Sequence, residues 1–136
     1  GTVTVGEWRG QGKILLVEDE ESARELARIV LERAGLEVVE AADGLGALEI
    51  FGAAPDEFGC ILLDLTMPNM DGVETYTKLR EIRPEVRVVL CSGYPERAAM
   101  DRFADVGLSG FLKKPYEPEE LLKSLRPPEA QSLDPV

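Results

Sequence analysis

The chain has 136 residues, room for one average domain and too few for two independent cores. Hydrophobic residues at 44% and charged residues at 30% describe a soluble globular protein and exclude a disordered or fibrous one. Asp and Glu number 26 against 15 Lys and Arg; the net charge of -11 repels phosphate backbones and anionic lipid, so neither nucleic acid nor membrane is expected as a direct partner. Histidine is absent, which removes imidazole as base, nucleophile, metal ligand or phosphoryl carrier.

Residues 1–12 are glycine-rich and aperiodic and read as a linker, with Trp8 its lone aromatic. Lys13–Val17 is a continuously apolar strand. A helix over 22–34 follows, with Leu26, Ala27, Val30, Leu31 and Ala34 on one face, Ser22 and Glu25 at capping-box spacing, and Gly35 placed to end it. Glu37–Ala41 is a strand, and 44–54 a short helix after Asp43. A strand over 60–64 precedes a helix at Gly72–Ile82, stopped by Pro84. A strand over 87–91 is followed by a helix over 95–106 with Ala99, Phe103 and Val106 on one side. Gly110–Lys113 is the last strand, and 117–125 the last helix, with Pro118 in its first turn. The pair Pro127-Pro128 ends the domain at about residue 126 and opens a polar tail over 127–136.

Five strand–helix units of this length build an α/β domain over 13–126, a doubly wound parallel sheet covered on both faces. The core strands are apolar throughout and do not alternate, as burial on two sides requires. Cys60 and Cys91 stand at opposite ends of their strands, too far apart to bridge, and read as buried core thiols.

Ligands of such sheets gather beyond the carboxyl ends of the strands, where the strand order reverses. The first strand delivers Glu18, Asp19, Glu20 and Glu21 there, the third Asp64, the fourth Ser92, and the fifth Lys113 and Lys114. In the flavodoxin-like order 2-1-3-4-5 the first and third strands are neighbours, so Glu18, Asp19 and Asp64 converge. Carboxylates so close repel one another, and a hard divalent cation resolves the conflict, Mg2+ foremost, with Mn2+ or Ca2+ as substitutes. Mg2+ bound by few carboxylates leaves a position for a phosphoryl oxygen, which points to phosphoryl chemistry. Asp64 is then the nucleophile, Lys114 or Lys113 the charge on the transferred group, and Ser92 a hydrogen-bond donor to it.

These residues carry a resemblance. Glu18-Asp19-Glu20, the run from Leu63-Asp64-Leu65-Thr66 through Met67-Pro68-Asn69-Met70-Asp71-Gly72, Cys91-Ser92-Gly93, and Phe111-Leu112-Lys113-Lys114-Pro115 resemble the receiver domain of two-component response regulators. The resemblance implies a phosphorylation-controlled signalling module and not an enzyme with an external product. Asp64 accepts a phosphoryl group from a phosphohistidine, with transfer and dephosphorylation catalysed by the domain itself. It implies Mg2+ held by Asp19, Asp64 and the main-chain oxygen of Thr66, with Glu18 acting through water. Lys114 sits on the phosphoryl group, with a cis bond to Pro115. Ser92 and Phe111 form the pair that rearranges, altering the surface of the 95–106 helix, last strand and last helix, through which a homodimer is expected. The implied donor is a histidine kinase or histidine phosphotransfer domain, and the implied setting is the cytoplasm.

Cys91-Ser92-Gly93-Tyr94, Asp101-Arg102-Phe103-Ala104 and Leu112-Lys113-Lys114-Pro115-Tyr116, with the lead-in Trp8-Arg9-Gly10-Gln11-Gly12, are more narrowly similar to receivers at the C-terminus of hybrid sensor histidine kinases, whose parent carries any membrane anchor. Phe111 replaces the more usual tyrosine of the family. Each signal alone has an ordinary reading: an acidic helix start, a capping Asp64, a Ser-Gly loop, lysines protecting an edge strand. Their joint arrival at the strand ends favours the site. Two alternatives on related folds fit less well. A flavin carrier needs a Ser/Thr-rich phosphate loop where Glu-Asp-Glu-Glu stands, and a haloacid-dehalogenase-type phosphatase needs a second acid where Thr66 stands.

Overall fold

Apolar runs separated by amphipathic helices pair as parallel strands in a computed structural model, which describes residues 13–65, 72–93 and 110–125. In chain order the elements are β1 (Lys13–Val17), α1 (Glu21–Arg33), β2 (Glu37–Ala41), α2 (Gly44–Ala53), a 3-10 turn at Pro55–Glu57, β3 (Phe58–Asp64), α3 (Gly72–Ile82), β4 (Val88–Ser92), β5 (Gly110–Lys113) and a last helix, Pro118–Leu125. The sheet order is β2-β1-β3-β4-β5 with every pairing parallel, the expected flavodoxin-like arrangement. The 95–106 helix, the 1–12 linker and the 127–136 tail lie outside the described residues.

Alternation along the buried strands feeds two cores. Leu15, Val17, Ile61, Leu63, Val88 and Leu90 face α2 and α3, where Phe51, Tyr76 and Leu79 close the layer. Ile14, Leu16, Cys60, Leu62, Val89 and Cys91 face α1 and the last helix, meeting Ala27, Leu31, Leu121 and Leu125. The rings of Phe51 and Phe58 lie 5.9 Å apart at 47°, a tilted aromatic contact joining α2 to the foot of β3.

Local chemistry sets the ends of the elements. Gly35, at φ 94°, takes the left-handed conformation that terminates α1. Gly35 N–H donates to the Glu32 carbonyl at 3.0 Å and Leu36 N–H to that of Leu31 at 3.1 Å, a Schellman motif sealed by two buried leucines. Asp43 accepts from Gly46 N–H at 2.7 Å and caps α2. Pro118 opens the last helix, and Glu120 reaches back to the Glu117 N–H at 3.0 Å.

Five elements differ in their bounds from the expectation; α2 ends one residue earlier, at Ala53, and the last helix begins one residue later, at Pro118. The Ser22–Glu25 capping box does not form: α1 begins one residue earlier, at Glu21, and the Ser22 hydroxyl donates instead to Glu20 Oε1 at 2.9 Å. β3 starts two residues earlier than expected, at Phe58, because pairing to β1 takes in Phe58 across a register shift that skips the exposed Gly59. β4 is shifted by one residue and reaches Ser92, so that its last side chain stands at the rim of the sheet.

Leu31 is fully buried and Leu26, on the same helix, is 65% exposed. Leu31→Ala is expected to lower unfolding free energy in urea by about 2–5 kcal/mol through lost burial and a residual cavity. Leu26→Ala should change it by less than about 0.5 kcal/mol.

Candidate functional site

Register decides what meets at the carboxyl ends of the strands. Val17 is level with Leu63, Asp64 with Cys91, and Cys91 with Leu112, so Glu18 follows its strand in the row of Asp64 and Lys114 stands two residues beyond that row. Main-chain bonds extend the ladders past the strands. Glu18 N–H donates to the Ala41 carbonyl at 3.1 Å, Leu65 N–H to that of Cys91 at 2.9 Å, and Lys114 N–H to that of Ser92 at 2.7 Å.

Glu18, Asp19 and Asp64 each present a carboxylate oxygen, and these atoms all lie within 4.8 Å of one another. Glu18 is 4% exposed and Asp64 1% exposed, whereas Asp19 faces solvent. Lys114 Nζ lies 2.5 Å from Glu18 Oε1 and 3.2 Å from Asp64 Oδ2. The strand ends by themselves left Lys113 and Lys114 as alternatives and the family resemblance implied Lys114; Lys113 is exposed, and Lys114 carries the contact. The bond between Lys114 and Pro115 is cis, as the family resemblance implied. Ser92 is buried at the end of β4. Phe111, level with Leu90, is partly buried against the α2–α3 core, the face to which Ser92, two residues past Leu90, also turns. Thr66 lies outside the described residues.

Three carboxylates with one ammonium group leave a surplus of negative charge in a half-dry pocket. Burial pushes the Glu18 carboxyl up, the hydrogen bond with Asp64 adds to the rise, and Lys114 offsets only part of it, leaving the group at about 7. Burial opposes the charge on Lys114, but the Glu18 hydrogen bond and the Asp64 charge outweigh it and hold the ammonium form. The unmet charge and the all-oxygen donors fit a hard divalent cation, which Glu18, Asp19 and Asp64 could hold. The cysteines take no part in this: both are free, and burial pushes Cys60 up to about 11 and raises Cys91 as well, so neither offers a thiolate.

One supporting residue was not legible beforehand. Arg24 of α1 donates from one guanidinium nitrogen to the Glu18 carbonyl at 2.9 Å, and its Nε lies 3.5 Å from Glu40 at the end of β2. It ties helix, loop and strand together behind the acids. A basic residue at that helical position looks like ordinary surface charge, and only the packing of α1 over β1 and β2 aims it at a main-chain oxygen.

A parallel sheet of this order with an acid cluster and a lysine at its rim defines a class of phosphoacceptor module, and the profile of the response regulator receiver domain matches residues 14–126. The chain belongs to that family and is a receiver domain. It is 36% identical over 110 residues to the transcriptional regulatory protein SrrA of Staphylococcus aureus, covering 81% of this chain and 44% of that one. The chain thus spans under half the length of the curated relatives it matches. Among solved structures it resembles the chemotaxis protein CheY4 of Vibrio cholerae, at 33% identity and TM-score 0.78 over 85% of this chain and 97% of that one. It also resembles a response regulator of Burkholderia pseudomallei that carries a phosphorylated aspartic acid, a calcium ion and citrate, at 27% identity and TM-score 0.77 over 90% of this chain and 71% of that one. Receiver domains are signalling modules that take their phosphoryl group from a kinase partner. Among the described residues no helix is long and apolar enough to cross a membrane.

The position of Glu18 has a measurable consequence. Its folded value of about 7 exceeds the ordinary 4.5, so the unfolded chain gives up this proton first, and the carboxyl costs folding stability progressively as pH rises from 4.5 to 7. Without divalent cations, Glu18→Gln is expected to be more stable than the parent chain above pH 7 in urea unfolding. The gain should shrink towards pH 4.5; a difference that does not vary with pH would show that Glu18 does not carry the shifted titration.

Proposed function

We propose that Asp64 is the phosphoacceptor and that the acid cluster holds Mg2+ while it reacts. A single observation carries this reading: the Asp64 carboxylate ends a central strand with two further acids and the Lys114 ammonium, 3.2 Å away, focused on it. A carboxylate oxygen of Asp64 attacks phosphorus and the P–N bond to the donor imidazole breaks. The imidazole nitrogen keeps the electron pair and takes up a proton, leaving an acyl phosphate on Asp64. Lys114, released from one of its acids, pairs with a phosphoryl oxygen, and the Ser92 hydroxyl donates to another. Asp19, Asp64, the Thr66 main-chain oxygen and, through water, Glu18 would hold Mg2+, which would supply positive charge against the acids and the transferred group. Asp19, the exposed member, is the open side through which that group arrives.

Rearrangement of Ser92 and Phe111 then passes the change to the surface of the 95–106 helix, last strand and last helix, the expected homodimer face. The domain itself is taken as 13–126, with 1–12 a linker and 127–136 a tail, working in the cytoplasm. The similarity of Cys91-Ser92-Gly93-Tyr94 and Lys113-Lys114-Pro115-Tyr116 to hybrid kinase receivers supports a parent that is itself a histidine kinase. The 36% identity to SrrA supports instead a transcriptional regulator. The coding sequence decides between them: a kinase core immediately upstream is expected, and a DNA-binding segment downstream would overturn the hybrid reading.

Incubation with acetyl phosphate and Mg2+ is expected to label the protein, and EDTA to prevent labelling. Asp64→Asn should abolish the signal in intact-mass or Phos-tag measurements, and Lys114→Ala should slow it by roughly 100-fold, the effect of losing one charged donor at a developing oxyanion. Labelling that survives Asp64→Asn would move the acceptor elsewhere.

A further inference from the structure

The peptide group between Glu18 and Asp19 is held from outside the acid cluster. Its oxygen, the Glu18 carbonyl, accepts a hydrogen bond from the Arg24 guanidinium at 2.9 Å. On the other side of the same residue, Glu18 N–H donates to the Ala41 carbonyl of β2 at 3.1 Å. Arg24 N–H donates to the Glu20 carbonyl at 2.9 Å, and Glu20 N–H to Glu18 Oε2 at 3.3 Å, so the turn from β1 into α1 closes on itself. Asp19 stands in that turn and faces solvent, so the main chain beneath it sets where its carboxylate points.

Arg24 is itself anchored. Its Nε lies 3.5 Å from Glu40 Oε1 on β2, and the same Glu40 oxygen lies 3.8 Å from Arg28 Nε. Arg28 in turn bonds to Glu32 at 2.8 Å. This row of alternating charge runs along α1 and reaches the main chain of the acid loop through Arg24. A planar guanidinium with one nitrogen on a carbonyl and another on a carboxylate has little freedom to turn. As a charge, however, Arg24 is an unfavourable neighbour for a bound cation. Any net benefit to cation binding must therefore come through the geometry it imposes.

We propose that Arg24 is a positioning residue for the metal-holding acids. It fixes the plane of the Glu18–Asp19 peptide, with Glu40 steadying the guanidinium, and so aims the Asp19 carboxylate at the place shared with Glu18 and Asp64. This role rests on the reading of the acid cluster as the holder of Mg2+. Outer groups that orient ligating side chains typically carry about 10–100-fold in metal affinity. The two effects of Arg24 have opposite signs. Loss of the guanidinium removes repulsion, which tightens cation binding, and frees the peptide plane, which loosens it.

Titration of the protein with Mn2+, the free ion counted by electron paramagnetic resonance, reads this affinity without any phosphoryl chemistry. Arg24→Met is expected to weaken binding by about 10-fold or more, and Arg24→Lys, which keeps a donor, to recover part of the loss. Arg28→Met removes the same charge from the same helix but leaves the main-chain bond, and should not weaken binding. Glu40→Gln should weaken it less than Arg24→Met and add little to that variant, since both act through one contact. Urea unfolding without metal shows that each variant is folded, and Arg24→Lys and Glu40→Gln carry the test should Arg24→Met be unfolded. Unchanged or tighter binding by folded Arg24→Met would overturn the positioning role and leave charge as the sole effect of Arg24. Fully additive losses would remove Glu40 from it. Asp19→Asn, titrated alongside, tests the underlying reading separately. If that variant binds as tightly as the parent chain, or the parent binds no Mn2+, the acid cluster is not the metal holder and both readings fall together.

Discussion

The organising interaction is the ammonium group of Lys114 set against two buried carboxylates, Glu18 and Asp64, from strands far apart in sequence. Burying carboxylates is costly unless charge or hydrogen bonds answer them. One ammonium is too little for this cluster: burial first, and the contact with Asp64 second, raise the Glu18 carboxyl further than Lys114 lowers it. The rim of the sheet is therefore held in a charged state that a cation and a phosphoryl group, entering together, can relieve. The surplus negative charge favours the cation, and the lysine favours the phosphoryl oxygens.

The rest of the fold keeps these groups in place. Continuous apolar strands buried between two helical layers fix the heights at which Glu18, Asp64 and Lys114 emerge. Arg24 clamps the loop after β1 by its carbonyl. At the other end of the sheet, Arg83 donates to the carbonyls of Pro55 and Phe58 at 3.0 and 2.7 Å, and Arg87 to that of Leu125 at 2.9 Å. Guanidinium groups thus satisfy main-chain oxygens where helices and strands end, and the carboxyl rim is left to chemistry. α1 serves two ends at once: Ala27 and Leu31 close a core, and Arg24 steadies the acids.

Periodicity and punctuation are properties of neighbouring residues, so the order and kind of the described strands and α-helices, the glycine stop of α1 and the acids at the strand ends could all be read from the chain alone. The bounds of β1, β2, α3 and β5 agree with that reading to the residue. The failures have the same origin. The capping box was plausible by spacing, but Ser22 lies inside the helix and its hydroxyl turns to Glu20. Gly59 looked like a break in an apolar run, yet parallel pairing to β1 continues through Phe58 across a register shift.

What only the tertiary structure decided concerns groups that meet through space. Local pattern could not choose between Lys113 and Lys114; the choice follows from which one turns inward beside β4 to meet an acid 96 residues away. Likewise the raised Glu18 carboxyl and the Arg24 clamp depend on distance and desolvation across strands and helices. Charge interactions and burial are set by neighbours in space, and sequence spacing carries them only where those neighbours are also near in the chain.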